Sequence, residues 1–163
     1  MRNLSPFRTD IPYSLSILLL SALSILPSLL MVLAASSLLS ALGVDVSASA
    51  QEVASSLRPD SPSFLIGAVV IFPFIETLLL IGGIKLLGLV VASSRLRSVL
   101  SGLTWGVLHG LVAPLWFVGT FWSFFVFSSA YQSWRRVGRW RGVGAAWLPH
   151  AIQNGVAMIL VGA

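Results

Sequence analysis

From Ile11 to Leu42 the chain runs through thirty-two residues without a charged side chain. At ~1.5 Å per residue, a helix of that length exceeds the ~30 Å hydrocarbon core of a bilayer. Pro27 interrupts the run. The segment therefore predicts one tilted or kinked helix that overshoots an apolar layer at one end.

The remainder of the 163 residues is of the same kind, with 56% hydrophobic and 9% charged side chains overall. Soluble domains carry ~45–50% apolar and ~25% charged residues. The gap excludes an ordinary soluble globule, a disordered tail and a nucleic-acid binder, and it points to an integral membrane protein. One span takes ~20 apolar residues, so the length admits about five spans and no separate soluble domain. Residues 1–163 thus read as a single membrane domain, an all-α polytopic helix bundle. There is no cysteine, which excludes disulfides, thiolate zinc sites and cysteine nucleophiles. Ala48-Ser49-Ala50 resembles a signal-peptide cleavage site. The apolar stretch before it is too long for the usual ~7–15 residue signal core, so the first helix is expected to stay.

The second span is expected over about 63–92, the third over 98–113, the fourth over 114–134 and the fifth from 142 onward. A polar stretch, 43–62, carries Asp45, Glu52, Arg58 and Asp60. Five spans put the N-terminus and the 93–97 and 135–141 loops on one side, with eight of the ten basic residues. The acidic stretch and the C-terminus fall on the other. The positive-inside rule then makes the N-terminus cytoplasmic and the C-terminus external. The net charge of +5 is accounted for as topology-setting arginines. Within the third span Gly102, Gly106 and Gly110 recur every four residues, a stripe that lets helix backbones approach closely. Trp105 and His109 flank the stripe, so His109 is expected to face the bundle.

Few strongly polar groups interrupt the apolar spans: Glu76, His109, and His150 with Gln153 and Asn154. Lys85 lies near a span end, where it can snorkel. A charged side chain at mid-bilayer costs ~2.5–3.5 kcal/mol on insertion scales, which makes such a residue a candidate for function. His150 and Asn154 are four apart and share a helical face. Pro73 and Pro149 sit beside Glu76 and His150, and each removes a helical hydrogen bond, freeing a carbonyl one turn back. Such breaks are tolerated where the backbone lines a cavity. A glutamate can take a proton from water and a histidine can orient or share it. A second histidine and an asparagine can donate to a developing oxyanion. The same Glu76, His109 and His150 could instead hold zinc with one open position. Counting from the expected span ends puts Glu76 near mid-membrane, His150 towards the cytoplasm and His109 towards the outside. For the three to meet, the third span has to tilt or begin later.

These residues resemble the motifs of the CAAX prenyl protease and bacteriocin-processing family of intramembrane endopeptidases, also called the Abi or CPBP family. Its first motif pairs two adjacent glutamates with an arginine four residues on. Pro73-Phe74-Ile75-Glu76-Thr77 keeps the first glutamate, but Thr77 and Ile81 stand where the family has the second glutamate and the arginine. Its second motif, Phe-x-x-x-His, reads Trp105 to His109, and its third, His-x-x-x-Asn, is matched by His150 and Asn154. The resemblance covers about 63–162 and leaves the first span outside.

The resemblance implies a peptidase site within the membrane. Glu76 would activate water with help from His109, and His150 and Asn154 would stabilise the oxyanion. No cofactor, or a zinc ion on Glu76, His109 and His150, is compatible with it. The expected partners are the lipid bilayer and a peptide or membrane-protein substrate: a prenylated C-terminus, a leader peptide or a membrane anchor. The alternative is a catalytically weak or inactive relative that acts as a membrane peptide-binding or immunity factor. A proton-coupled transporter would use the same three groups as a relay, but no internal repeat of the kind many transporters have is visible.

Overall fold

The structure is a computed structural model that describes residues 7–48, 51, 55 and 61–162. Most of these residues are helical, with no strand among them. Five helices carry the fold: α1 (Tyr13–Ala41), α2 (Pro62–Leu87), α3 (Ser94–Gly110), α4 (Trp116–Trp134) and α5 (Arg139–Gly162). Two of them, α1 and α2, are long and apolar enough to cross a membrane. Glu52, Arg58, Asp60 and the Ser49-Ala50 part of the cleavage-like tripeptide lie outside the described residues.

Each helix begins and ends for local reasons. Ser61 caps α2 by accepting the Phe64 N–H, and Pro62 occupies the first turn, where its missing N–H is no loss. Within α2, Gly67–Ile71 form a π-helical turn just before Pro73. Ser93 caps α3 by accepting the Leu96 N–H. Helix α3 therefore starts four residues earlier than the sequence predicts, and Arg95 and Arg97 lie in its first turn rather than in a loop. Likewise α5 begins at Arg139, so Arg139 and Arg141 are helical, and α2 stops at Leu87 rather than near Ala92.

Helix α4 is the hub. On one side Phe124, Phe127 and Tyr131 pack with Leu80, Ile81 and Ile84 of α2 and with Val143 and Ala146 of α5. On the other, Val126, Ala130 and Trp134 pack with Ile17 and Leu20 of α1. Helix α3 lies along α4 through the glycine stripe. A Cβ on Gly102 would come within 2.6 Å of the Phe121 carbonyl oxygen, and one on Gly106 within 3.0 Å of that of Phe117. The two backbones thus meet as the spacing predicts. Helices α2 and α3, in contrast, touch little, and each is held mainly by another helix.

Helix α1 belongs to the same bundle although the motif resemblance leaves it out. Pro27 does not break it; the helix is continuous from Tyr13 to Ala41. The missing Pro27 N–H would have paired with the Leu23 carbonyl, and the Trp122 indole of α4 donates to that oxygen instead, at 2.7 Å. Ser28 donates to the Gly119 carbonyl at 2.9 Å, and Trp134 donates its indole N–H to Ser16 at 3.0 Å. Serines on one face of α1 let it approach α4 closely and supply the polar contacts.

Candidate active site

Glu76 of α2, His109 of α3 and His150 of α5 come together beside α4. Glu76 Oε2 lies 3.3 Å from His150 Nε2, and Glu76 Oε1 lies 4.0 Å from His109 Nε2. One carboxylate thus stands between two imidazoles from two other helices. Its side chain and that of His109 are 28% and 24% exposed, whereas that of His150 is 6% exposed.

The depths differ from those counted along the sequence. Glu76 lies eleven residues before the end of α2, and His150 eleven residues after the start of α5. Both are therefore roughly 16 Å from the same end of the bundle at ~1.5 Å per residue. The earlier start of α5 and the earlier stop of α2 bring them level. Helix α3 begins sooner, not later, and His109 lies fifteen residues into it. His109 is thus about 6 Å further along, and the Glu76–His109 separation is the longer of the two.

The ring nitrogens have definable roles. His109 Nδ1 is 3.0 Å from the Trp105 carbonyl oxygen. A carbonyl only accepts, so Nδ1 carries the hydrogen and a neutral ring turns an Nε2 lone pair towards Glu76. His150 is packed between Phe124 and Phe127, with ring centroids 5.1 and 4.9 Å away. Its Nδ1 is buried without a hydrogen-bond partner among the described residues. Placing the ring hydrogen on Nε2 gives the carboxylate a donor and leaves only an acceptor unpaired, the less costly arrangement. Trp105 stacks on Phe124 at 4.5 Å, which fixes the aromatic wall between the two histidines.

Asn154 is tied to the backbone of α2. Its side-chain amide donates to the Ala68 carbonyl of the π turn in α2, at 2.9 Å. The proline explains why that oxygen is open. Phe72 N–H already pairs five residues back, with Gly67. The next donor in that register, at position 73, would serve Ala68, and proline has none. Trp147, on the same face of α5, donates its indole to the Val70 carbonyl at 3.1 Å. Gln153 donates to Ser123 of α4 at 2.7 Å. Trp147 belongs to none of the three motifs. Its signal is spacing: 147, 150 and 154 fall on one helical face.

Thr77 and Ile81 are buried, and Ile81 packs in the α2–α4–α5 core. Among the described residues no three His, Cys, Asp or Glu side chains are disposed to hold a metal ion. A zinc-bound imidazole ordinarily donates its other ring N–H to an oxygen. His109 meets that requirement through Trp105, and His150 does not. The trio as arranged does not fit a zinc centre.

No family model matches the chain, and neither a curated protein nor a solved structure matches it significantly.

Proposed function

We propose that the chain is a polytopic membrane helix bundle that hydrolyses a peptide bond with water activated by Glu76 and His109. The five-span topology has the N-terminus cytoplasmic and the C-terminus outside. It is supported by the two long apolar helices and by the gathering of Arg95, Arg97, Arg135, Arg136, Arg139 and Arg141 at one end of the bundle. The peptidase reading rests on one observation, the placement of the Glu76 carboxylate between His150 Nε2 and His109 Nε2.

The 4.0 Å gap between Glu76 Oε1 and His109 Nε2 is too long for a direct hydrogen bond. It suits a bridging water. An oxygen ~2.8 Å from both would see them about 90° apart, near the angle between its own two hydrogens. Such a water donates to both acceptors and keeps its lone pairs for a carbonyl carbon. Glu76 takes the proton as the C–O bond forms, and returns it to the amine as the C–N bond breaks. His150 holds the carboxylate through its other oxygen. One hydrogen of the Asn154 amide is committed to Ala68, which leaves the second for an oxyanion.

The substrate, following the motif resemblance, is a peptide at the membrane: a prenylated C-terminus, a leader or an anchor. Mass spectrometry of new peptide termini in membranes expressing the wild-type chain or Glu76→Gln tests the reading. Termini that appear with the wild type and not with Glu76→Gln support it. Identical sets at equal protein levels defeat it.

One observation favours a second reading, a membrane peptide-binding or immunity factor of little or no activity. Thr77 and Ile81 carry no charge, so those positions cannot form the ion pair that the family's motif supplies, and both are buried in the core instead. In that case the wild type and Glu76→Gln retain the same peptides uncut.

A further inference from the structure

The basic end of the bundle holds a groove that the peptidase reading does not use. It has a volume of about 330 Å³ and lies between the start of α3 and the end of α4, a size within the ~300–1,000 Å³ of small-molecule sites. Arg95 lines it from α3 and Arg136 from the turn that follows α4, with Ser94 and Ser133 beside them. Neither arginine has an acidic partner among the described residues. In the adjoining groove, which Arg136 also lines, Arg8 pairs with Asp10.

The rest of the lining is mixed, with Ser98, Ser129 and Gln132 beside two aromatic rings. Phe7 and Phe125 contribute to it together with the arginines. Aromatic walls offer nothing to a free anion, but they suit the root of an acyl chain. Gln132, 5% exposed, also lines the groove. Its Nε2 donates to the Ser94 carbonyl and to Ser98, at 2.9 and 2.8 Å. Those two bonds tie the walls together, and its Oε1 has no partner among the described residues.

We propose that this groove binds the phosphate of an anionic glycerophospholipid between Arg95 and Arg136, with the lipid's apolar root against Phe7 and Phe125. Two guanidiniums, one from the first turn of α3 and one from the turn after α4, present their donors to one phosphate, the group whose geometry arginine matches best. Basic pockets between helices at the cytoplasmic face are suited to such headgroups. The proposal uses the membrane reading but not the peptidase reading, and it stands or fails apart from cleavage.

The test titrates the full chain in detergent with dioleoylphosphatidylglycerol or dioleoylphosphatidylcholine and counts retained lipids by native mass spectrometry. The expected result is preferential retention of phosphatidylglycerol. Retention weakens roughly thirtyfold in the Arg95→Gln/Arg136→Gln double variant, with a partial loss in each single variant. Arg139→Gln/Arg141→Gln, with the same change in net charge outside the groove, retains the lipid like the wild type. Equal losses in both double variants would show a diffuse surface field and overturn the site. Equal retention in all variants would overturn it too. Displacement of the lipid by inorganic phosphate at matched concentration would make the ligand a soluble anion and overturn the lipid assignment. Both arginines are exposed, and an unchanged unfolding temperature checks that each variant is folded.

Discussion

The Asn154 side-chain amide donates to the Ala68 carbonyl oxygen across 2.9 Å, tying α5 to the π turn of α2 just upstream of Glu76. The oxygen is open because Pro73 has no N–H to give it. Asn154 is thus first a clamp on the helix that carries the carboxylate. Asn154→Ala leaves that carbonyl unpaired, at a cost of about 1–3 kcal/mol. Asn154→Asp sets an acceptor against an acceptor and costs more. A residue acting only on an oxyanion would leave stability unchanged. Thermal unfolding in detergent separates the two roles, with a lowered midpoint expected for both variants.

Glu76→Gln keeps the size of the side chain and still offers His150 Nε2 an oxygen. The fold should survive, with a stability change below about 1 kcal/mol. Proton transfer from water is lost, and cleavage should fall by about 10²–10⁴-fold. Unfolding temperature and appearance of cleaved termini, measured on the same preparation, check the two halves. A collapse of stability alongside activity would assign Glu76 a structural role instead.

His150 lies between two phenylalanines, with one ring nitrogen buried and unpaired. A phenyl ring suits that cage better than an imidazole. His150→Phe removes the unpaired buried nitrogen but also leaves the Glu76 carboxylate without its donor, so stability should fall by about 1–3 kcal/mol despite the better ring packing. Activity should be lost, because the Glu76 carboxylate loses its donor. Denaturant midpoints for the variant and wild type decide the stability sign.

The five helices and the convergence of Glu76, His109 and His150 were legible because burying charge in apolar runs is expensive and few residues do it. The glycine stripe was legible for a similar reason: only close backbones need it. Three features were hidden. Helix starts shifted because Ser93 is a side-chain cap and arginines extend helices into expected loops, and hydropathy is blind to both. The π turn could not be read, since it shows only as a change of hydrogen-bond register. The clamp by Trp147 and Asn154 depends on which carbonyls that register leaves open, a tertiary fact. The sequence marked Asn154 as important and left its partner unknown.

The α3–α4 contact gives a steric prediction. A Cβ on Gly102 would meet the Phe121 carbonyl oxygen at 2.6 Å and the Phe125 nitrogen at 3.2 Å. Both are backbone atoms, so the helices have to move apart. Gly102→Ala should destabilise the protein by about 1–3 kcal/mol. It should also carry His109 away from Glu76, on the same helix. Gly82 has open space around an added Cβ, so Gly82→Ala is the control and should be neutral or slightly stabilising. Unfolding midpoints of the two alanine variants, compared directly, check the contact.

Pro27 and Trp122 allow the proline account to be tested away from the site. The proline leaves the Leu23 carbonyl without a helical donor, and the Trp122 indole supplies one at 2.7 Å. Trp122→Phe keeps most of the ring and removes the donor, which should cost about 1–3 kcal/mol for the unpaired carbonyl. Pro27→Ala restores a backbone N–H four residues on, able to close the helical bond itself. In the Pro27→Ala background, Trp122→Phe should therefore cost distinctly less, and the coupling energy should be about 1 kcal/mol or more. A double-mutant cycle on unfolding free energies measures this. Equal costs in both backgrounds would mean that the indole contributes packing alone, and that the prolines of this bundle are tolerated without donors from neighbouring helices.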